Sequence, residues 1–128
     1  MTRPRYRILW QGDMPLERIG WEDRPEAGVA YSPSQLRDIE SWWRRQGKTG
    51  VALEDLPLYR VLAVARRGKA VSLRLGRTSY KLYQGTNVAK PAWALAAPRR
   101  WMGNPLSLSA VLVTSDGHVP MNFRSRRV

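Results

Sequence analysis

The clearest periodic pattern in the chain is an apolar stripe in its first third. Leu36, Ile39 and Trp43 recur at the spacing of one helix face, and charged side chains fill most of the positions between them. This pattern predicts an amphipathic helix over about residues 33–46.

The residues that flank this stripe are typical of helix ends. Ser32 and Gln35 have the spacing of a capping box, and Pro33 suits the first helical position. Gly47 is placed to end the helix in a left-handed conformation. The boundaries of the helix are therefore predicted independently of its apolar face.

The pattern changes to strand-like runs in the middle of the chain. Residues 58–65 are rich in aliphatic and β-branched side chains, residues 70–75 alternate apolar with polar, and Arg-Arg-Gly-Lys lies between them. The two runs predict a β-hairpin. The sequence Thr-Ser-Tyr-Lys-Leu-Tyr that follows predicts a short helical turn.

A second hairpin is predicted near the end of the chain. Residues 106–114 and 119–125 flank Asp116-Gly117, the dipeptide that a type I′ turn favours because both central residues need positive φ. Residues 5–10 form a weaker strand candidate, and residues 11–31 have the composition of a loop. The whole pattern indicates a mixed α+β fold, with an N-terminal helix and hairpin followed by a second hairpin.

Composition narrows the function classes. The 128 residues are 43% hydrophobic and 25% charged, values of a single globular domain. With no cysteine and the single histidine His118, the sequence excludes disulfides, thiol nucleophiles, thiolate zinc sites and histidine-rich metal sites. The sequence shows neither a signal peptide nor an apolar run of membrane-spanning length, so we expect a cytoplasmic protein without membrane contacts.

The net charge of +12 is unevenly distributed. Residues 1–58 hold nine basic and nine acidic side chains, whereas residues 59–128 hold thirteen basic side chains and one acidic side chain, Asp116. Such a field attracts polyanions, including nucleic acid and phosphorylated metabolites. A solvated basic face and the loss of balancing acidic residues are the two alternatives that charge alone leaves open.

The sequence shows binding residues rather than a complete active site. Neither a phosphate-binding P-loop nor a dinucleotide fingerprint occurs, and His118 lies in a predicted surface turn. The segment LRLGRTSYKLYQGTN instead combines tyrosines for stacking, basic side chains for phosphate oxygens and glycines whose backbone N–H groups an anion can approach. The binding residues expected in this segment are Tyr80 and Tyr83, Arg74, Arg77 and Lys81, and Gly76 and Gly85, with Lys90 just after it.

The same segment resembles a known family. LRLGRTSYKLYQGTN, followed after a tryptophan-containing spacer by NPLSLSAVLVTSDGHVPMNFRSRRV, is similar to the N-terminal half of the Nudix hydrolases that act as UDP-glucose and UDP-galactose pyrophosphatases. The shared words are Leu-Gly, Thr-Ser-Tyr, Gly-Thr-Asn, Asn-Pro-Leu and a closing Arg-Ser, over about residues 57–128. The resemblance implies an N-terminal region over residues 1–104 and the start of a Nudix domain over residues 105–128.

The resemblance also implies substrate contacts. Tyr80 matches a tyrosine that such enzymes place against the UDP-sugar, and Arg124 matches the arginine that contacts substrate at the end of the hairpin. Gly85, Thr86 and Asn87 match the segment that shapes the loop between the two regions. The sequence departs from the family pattern at Glu54, Ser107, Asn122 and Phe123.

One family feature is missing from the printed residues. The Nudix box holds Mg²⁺ with the glutamates of an Arg-Glu-X-X-Glu-Glu pattern, and no such pattern occurs in residues 1–128. The resemblance therefore implies an incomplete Nudix fold, truncated before the box. We expect no catalytic or metal-binding residues in this chain and no hydrolysis by the chain alone, although Mg²⁺ is implied for a complete family member.

A second function class remains open. A small basic protein could bind RNA or single-stranded DNA through arginines placed near tryptophans. An incomplete fold would also leave a sheet edge uncovered, which predicts oligomerisation. The arginines expected to bind nucleic acid are Arg99, Arg100, Arg124, Arg126 and Arg127.

Overall fold

The structure is a computed structural model that describes residues 8, 10–50, 52–97 and 100–121. These residues form a mixed α+β fold, as predicted, with a three-stranded sheet in the order β1-β3-β2. The elements are β1 (Ile19–Asp23), α1 (Pro33–Gly47), β2 (Pro57–Arg67), β3 (Ala70–Ser79), α2 (Tyr80–Tyr83), a π-helical turn (Gln84–Val88) and α3 (Ala92–Ala96), with a 3-10 turn (Leu16–Arg18) before β1.

Helix α1 confirms the prediction from the apolar stripe. The Ser32 hydroxyl accepts the Gln35 backbone N–H at 3.3 Å, and the Gln35 side chain accepts the Ser32 N–H at 2.9 Å, which completes the capping box. Ile39, at the centre of the stripe, is only 1% exposed. The packing of this stripe fixes α1 against the rest of the chain.

The predicted left-handed end of α1 at Gly47 is wrong. The helix continues into a right-handed Lys48, whose N–H donates to Arg45 O, and the Thr49 N–H donates to Gln46 O. These bonds extend the turn beyond the helix. The first positive φ after the helix, 81°, is at Gly50.

The first hairpin is confirmed, and both of its strands are longer than predicted. Strands β2 and β3 pair antiparallel from Pro57↔Ser79 to Arg67↔Ala70, with a register shift between Val61 and Ala63. Gly68, in the connecting turn, has a φ of 57°. The long β3 delivers the chain directly into α2, which begins at Tyr80 and confirms the predicted helical turn.

The prediction of loop for residues 11–31 is wrong where strand β1 forms. Ile19–Asp23 pairs parallel with β3 in the register Ile19↔Val71 to Asp23↔Leu75. Its short sequence, with Gly20 at the second position, has little strand propensity, so the pairing depends on contacts with a distant part of the chain. The strand candidate at residues 5–10 lies largely outside the described residues, and neither Ile8 nor Trp10 is in a strand.

The second predicted hairpin is only partly present. The Gly117 N–H donates to Thr114 O at 2.9 Å, and the Thr114 N–H donates to His118 O at 2.8 Å, so the chain reverses where predicted. Gly117 has a φ of 82°, but Asp116 does not have a positive φ, and the predicted type I′ turn is therefore wrong. The bonds are those of a three-residue hairpin loop with glycine in the left-handed position.

The flanks of this turn do not form the predicted strands within the described residues. Apart from the bridge between Arg60 and Pro105, residues 106–121 carry no strand assignment, and residues 122–125 lie outside the described part. Apolar side chains along this segment are exposed, with Leu108 at 94% and Met121 at 83%. We call residues 106–121 the exposed segment.

We propose that the exposed segment makes the chain self-associate, because a run of apolar side chains in water favours contact with a second copy. The double variant Leu108→Lys with Val111→Lys is expected to shift the protein from oligomer to monomer in sedimentation velocity. Leu16→Lys is the matched control, since Leu16 is also exposed but lies outside the segment. A wild-type chain that sediments as a compact monomer at all concentrations would contradict the proposal.

The longest helix in the described ranges has 15 residues. None of the helices there combines the length and the apolar character required to cross a membrane.

Candidate functional site

Tyr80 lies in an open groove of about 560 Å³ between the start of α2 and the edge of β2. The Ser79 hydroxyl caps α2 by accepting the Leu82 N–H at 3.3 Å, which sets the position of Tyr80 at the first helical residue. The groove is lined by Leu58, Val61, Tyr80, Tyr83, Asn87, Asn104, Pro105, Leu106 and Ser107. All of these described lining residues are uncharged.

The Tyr80 ring is fixed by aromatic contacts and a hydrogen bond. Its centroid lies 6.1 Å from that of Trp43 in an edge-to-face arrangement and 6.2 Å from that of Tyr83. Gln84 Nε2 donates to the Tyr80 hydroxyl at 2.9 Å. The phenol oxygen therefore already accepts one hydrogen bond, and its own proton remains available to a ligand.

The predicted residues Gly85, Thr86 and Asn87 lie in the π-helical turn rather than in a loop. Gly85 is buried against Ile39, where an added Cβ would lie 2.6 Å from the Ile39 side chain, and Thr86 is fully buried. Asn87 alone of the three lines the groove. Gly85 and Thr86 thus position the turn, and the substrate contact expected at Asn87 stays a prediction.

Gly76 and Gly85, whose backbone N–H groups were predicted to be open to an anion, are both buried. A Cβ added at Gly76 would lie 2.1 Å from Ala27 O, so this glycine accommodates a crossing segment of the chain instead.

The Thr86 side chain joins the π-helical turn to the opposite wall of the groove. Its hydroxyl donates to Leu82 O at 2.7 Å and accepts the buried Gly103 N–H at 2.9 Å. Next to it, Asn87 Oδ1 accepts the Asn104 backbone N–H at 3.2 Å, and Asn87 Nδ2 donates to Asn104 Oδ1 at 3.3 Å. The two walls are therefore connected through residues 86–87 and 103–104.

A buried arginine anchors the same wall from the sheet side. Arg60 is 5% exposed, its Nε donates to Met102 O at 3.0 Å, and desolvation lowers the pKa of its guanidinium. The Tyr31 hydroxyl donates to Trp101 O at 3.0 Å, and burial raises the pKa of this phenol. These two hydrogen bonds hold the backbone of residues 101 and 102, which lead into the groove.

The basic residues predicted to meet phosphate oxygens each pair with a carboxylate from the first half of the chain. Arg74 contacts Glu22 at 2.9 Å, and Arg77 contacts Asp23 at 2.5 and 2.8 Å. Lys81 pairs with Glu40, and Lys90 lies 3.2 Å from Asp38. None of these cations lines the groove.

These pairs change the interpretation of the charge. Hydrogen bonds from Arg74 and Arg24 lower the pKa of Glu22, and the hydrogen bond from Arg77 lowers the pKa of Asp23. The negative charges of β1 thus offset part of the positive charge of the second half, on the neighbouring strand β3. These pairs are exposed, so each contributes little to stability.

The remaining candidate residues do not converge on the groove. Arg124, Asn122 and Phe123 lie outside the described residues, so the predicted contact of Arg124 with substrate stays a prediction. His118 and Asp116 form an exposed pair with 3.2 Å between Nδ1 and Oδ2. Within the described ranges, no cluster of three or more histidine, cysteine or acidic side chains is arranged to hold a metal ion.

Asn104 is a groove residue that the sequence analysis did not select. It has a φ of 40°, in the left-handed region that asparagine tolerates better than most residues. The Asn-Pro dipeptide at residues 104–105 is a turn signal that pointed to this position. Ser107, one of the departures from the family pattern, also lines the groove, whereas Glu54 does not.

Known proteins give one informative match. None of the protein-family models searched matches the sequence. The chain is 29% identical to human uridine diphosphate glucose pyrophosphatase NUDT22 over 141 aligned positions, which cover 98% of the chain and 46% of the relative. This similarity supports a Nudix-like relationship.

The match extends the resemblance seen in the sequence. The motifs there covered mainly residues 57–128, whereas the alignment includes almost the whole chain and therefore also α1 and β1. The chain spans about half the length of the curated relative that it matches, 46% of it.

Proposed function

We propose that these residues form the substrate-binding part of a Nudix-type UDP-sugar pyrophosphatase, and that the groove at Tyr80 receives the nucleotide sugar. The observation that supports this proposal is that separate sequence motifs converge on one groove. Three of the five motifs that carry the resemblance, Thr-Ser-Tyr, Gly-Thr-Asn and Asn-Pro-Leu, are separated in sequence, but each contributes a side chain to the same groove. The human relative is a uridine diphosphate glucose pyrophosphatase, which supports the same substrate class.

In this proposal the chain binds and orients the substrate. Tyr80 and Tyr83 provide aromatic surfaces for a base or a sugar, and the Asn87 amide provides a hydrogen-bonding group beside them. Arg124, which lies outside the described residues, is the further substrate contact that the resemblance implies.

The described residues do not fit a magnesium site, because they offer no cluster of carboxylates. We propose instead that the metal-binding glutamates belong to sequence outside these 128 residues and that the chain alone does not hydrolyse UDP-sugars.

The test is isothermal titration calorimetry of the chain with UDP-glucose, with and without Mg²⁺. Tyr80→Ala is expected to weaken binding by about tenfold, since it removes an aromatic contact of roughly 1.4 kcal/mol. Tyr59→Ala is the matched control, because Tyr59 is exposed but does not line the groove. Arg124→Ala is expected to weaken binding as well, and all affinities should change little when Mg²⁺ is removed.

Two outcomes would contradict the proposal. A wild-type chain that gives no binding signal with UDP-glucose would remove the substrate assignment. Hydrolysis of UDP-glucose by the purified chain, retained after further purification, would remove the proposed division between binding and metal-holding parts.

Nucleic-acid binding is the second candidate, and a specific set of contacts favours it. Cationic side chains lie over tryptophan rings at 4.9 Å for Arg66 and Trp10 and at 5.7 Å for Arg100 and Trp101. Base stacking and phosphate contact are available from such pairs. Oligonucleotide binding that falls steeply with salt would support this candidate, and no binding at low salt would exclude it.

A further inference from the structure

The polar groups of the groove have a fixed orientation. Asn87 Oδ1 must accept the Asn104 backbone N–H, because a backbone amide can only donate. The oxygen and nitrogen of the Asn87 amide are therefore assigned by the network, and the Asn87 Nδ2 group faces Asn104 Oδ1.

This orientation leaves hydrogen-bond donors for a ligand. Asn87 Nδ2 carries two protons, and one of them is used by Asn104 Oδ1. The Tyr80 hydroxyl accepts from Gln84, so its free capacity is again a proton. Two groups that line the groove thus present donors to whatever occupies it.

The Asn104 backbone sets this arrangement. Asn104 has a φ of 40° and donates its N–H to Asn87, and the N–H of the preceding Gly103 is held by the Thr86 hydroxyl. Gly103 also has no room for a side chain, since an added Cβ would lie 2.9 Å from Tyr83 Cα. The left-handed turn is therefore built into the packing of the wall.

We propose that Asn87 is a specificity-determining residue of the groove, oriented by the left-handed Asn104, and that it selects ligands which present hydrogen-bond acceptor oxygens. Asn104 acts through Asn87 and is a positioning residue. This inference rests on the proposed function, because the ligand in question is the nucleotide sugar.

A UDP-sugar supplies such acceptors on the carbonyl oxygens of its base, on the diphosphate and on the hydroxyl groups of the ribose and the sugar. UDP-glucose and CDP-glucose separate the base from the other groups, since the phosphates are identical and only the base differs. In cytosine an amino group, a donor, replaces the carbonyl at C4. A donor at Asn87 that faces the base would therefore favour UDP-glucose, because two facing donors cannot pair.

The experiment measures the dissociation constants of both ligands by calorimetry for the chain and its variants, with thermal melts to confirm folding. Asn87→Ala is expected to weaken UDP-glucose binding by about 3- to 10-fold, the value of one neutral hydrogen bond. Gln11→Ala, which removes an exposed amide outside the groove, is the control and should bind as wild type.

Asn87→Asp keeps the acceptor for the Asn104 N–H and replaces the donor by an acceptor. Its negative charge affects both ligands equally, so the ratio of their affinities reports the base alone. If Asn87 faces the C4 position of the base, the ratio favours UDP-glucose in wild type, falls in Asn87→Ala and inverts in Asn87→Asp. If Asn87 faces an acceptor that the two ligands share, such as the diphosphate, Asn87→Ala weakens both ligands equally and leaves the ratio unchanged.

Two variants of Asn104 test its positioning role. Asn104→Ala strains the left-handed backbone and is expected to weaken binding, whereas Asn104→Gly adopts that backbone freely and is expected to restore it to within about twofold of wild type. If Asn104 were needed only for its side-chain hydrogen bond, Asn104→Ala and Asn104→Gly would weaken binding equally.

The outcomes separate this inference from the proposed function. A folded Asn87→Ala that binds both ligands as wild type overturns the role of Asn87, while the UDP-sugar assignment stands. Equal affinity of wild type and Asn104→Ala overturns the positioning role. A wild-type chain that binds neither ligand overturns the proposed function and this inference together.

Discussion

Gly76→Ala is expected to destabilise the fold by about 3 kcal/mol or more, the largest effect of any single substitution proposed for this chain. A Cβ at this position would lie 2.1 Å from the backbone oxygen of Ala27 and 3.2 Å from a methyl group of Leu62. The Ala27 oxygen accepts the Arg77 N–H at 3.0 Å, so the crossing segment cannot move away without breaking this bond.

The measurement is urea denaturation followed by tryptophan fluorescence, with Gly28→Ala as the matched control. A Cβ at Gly28 would meet no atom within 4 Å, and its φ is not positive. The control should therefore change the free energy of unfolding by less than about 1 kcal/mol. Equal stabilities of the two variants would show that the segment around Ala27 does not cross β3 as closely as described.

Thr86→Val is expected to lower the free energy of unfolding by about 2–3 kcal/mol, because the buried Gly103 N–H and Leu82 O both lose a partner. Valine has nearly the same shape as threonine, so packing is preserved and the hydrogen bonds are tested alone. The loss of the Gly103 anchor is also expected to weaken UDP-glucose binding, because the Asn104 wall is then less firmly held.

Thr49→Val provides the comparison for this variant. The Thr49 hydroxyl also donates to a backbone oxygen, that of Gln46, but the residue is exposed and water can replace the bond. Its expected effect is below about 1 kcal/mol. If Thr86→Val were as mild as this control, the hydroxyl would not join the two walls of the groove.

The elements that sequence predicted well are those with local causes. Helix α1 has an apolar stripe and a capping box within fifteen residues, and the β2–β3 hairpin is closed by a short turn at Gly68. Strand β1 depends instead on pairing with β3, a distant part of the chain, and no local pattern reveals this pairing. Propensity alone indicated loop there, and tertiary contacts overrode it.

The groove was predictable in part for the same reason. Tyr80 and Asn87 were selected because short words of the sequence resemble a family, and the structure brings both to one surface. Asn104 was missed because its importance lies in a backbone angle and in a partner 17 residues earlier. The phosphate role assigned to Arg77 overlooked Asp23, which is adjacent only after the strands pair.

The parallel pairing of β1 has a consequence for the order of folding. The Glu22–Arg74 contact joins residues 52 positions apart, whereas the β2–β3 hairpin closes through Gly68 and Lys69. Hairpins form in about 1–10 μs, but a long loop must lose its entropy before the first distant contact is gained. The N-terminal strand should therefore dock last, after helix and hairpin have made the edge that it joins.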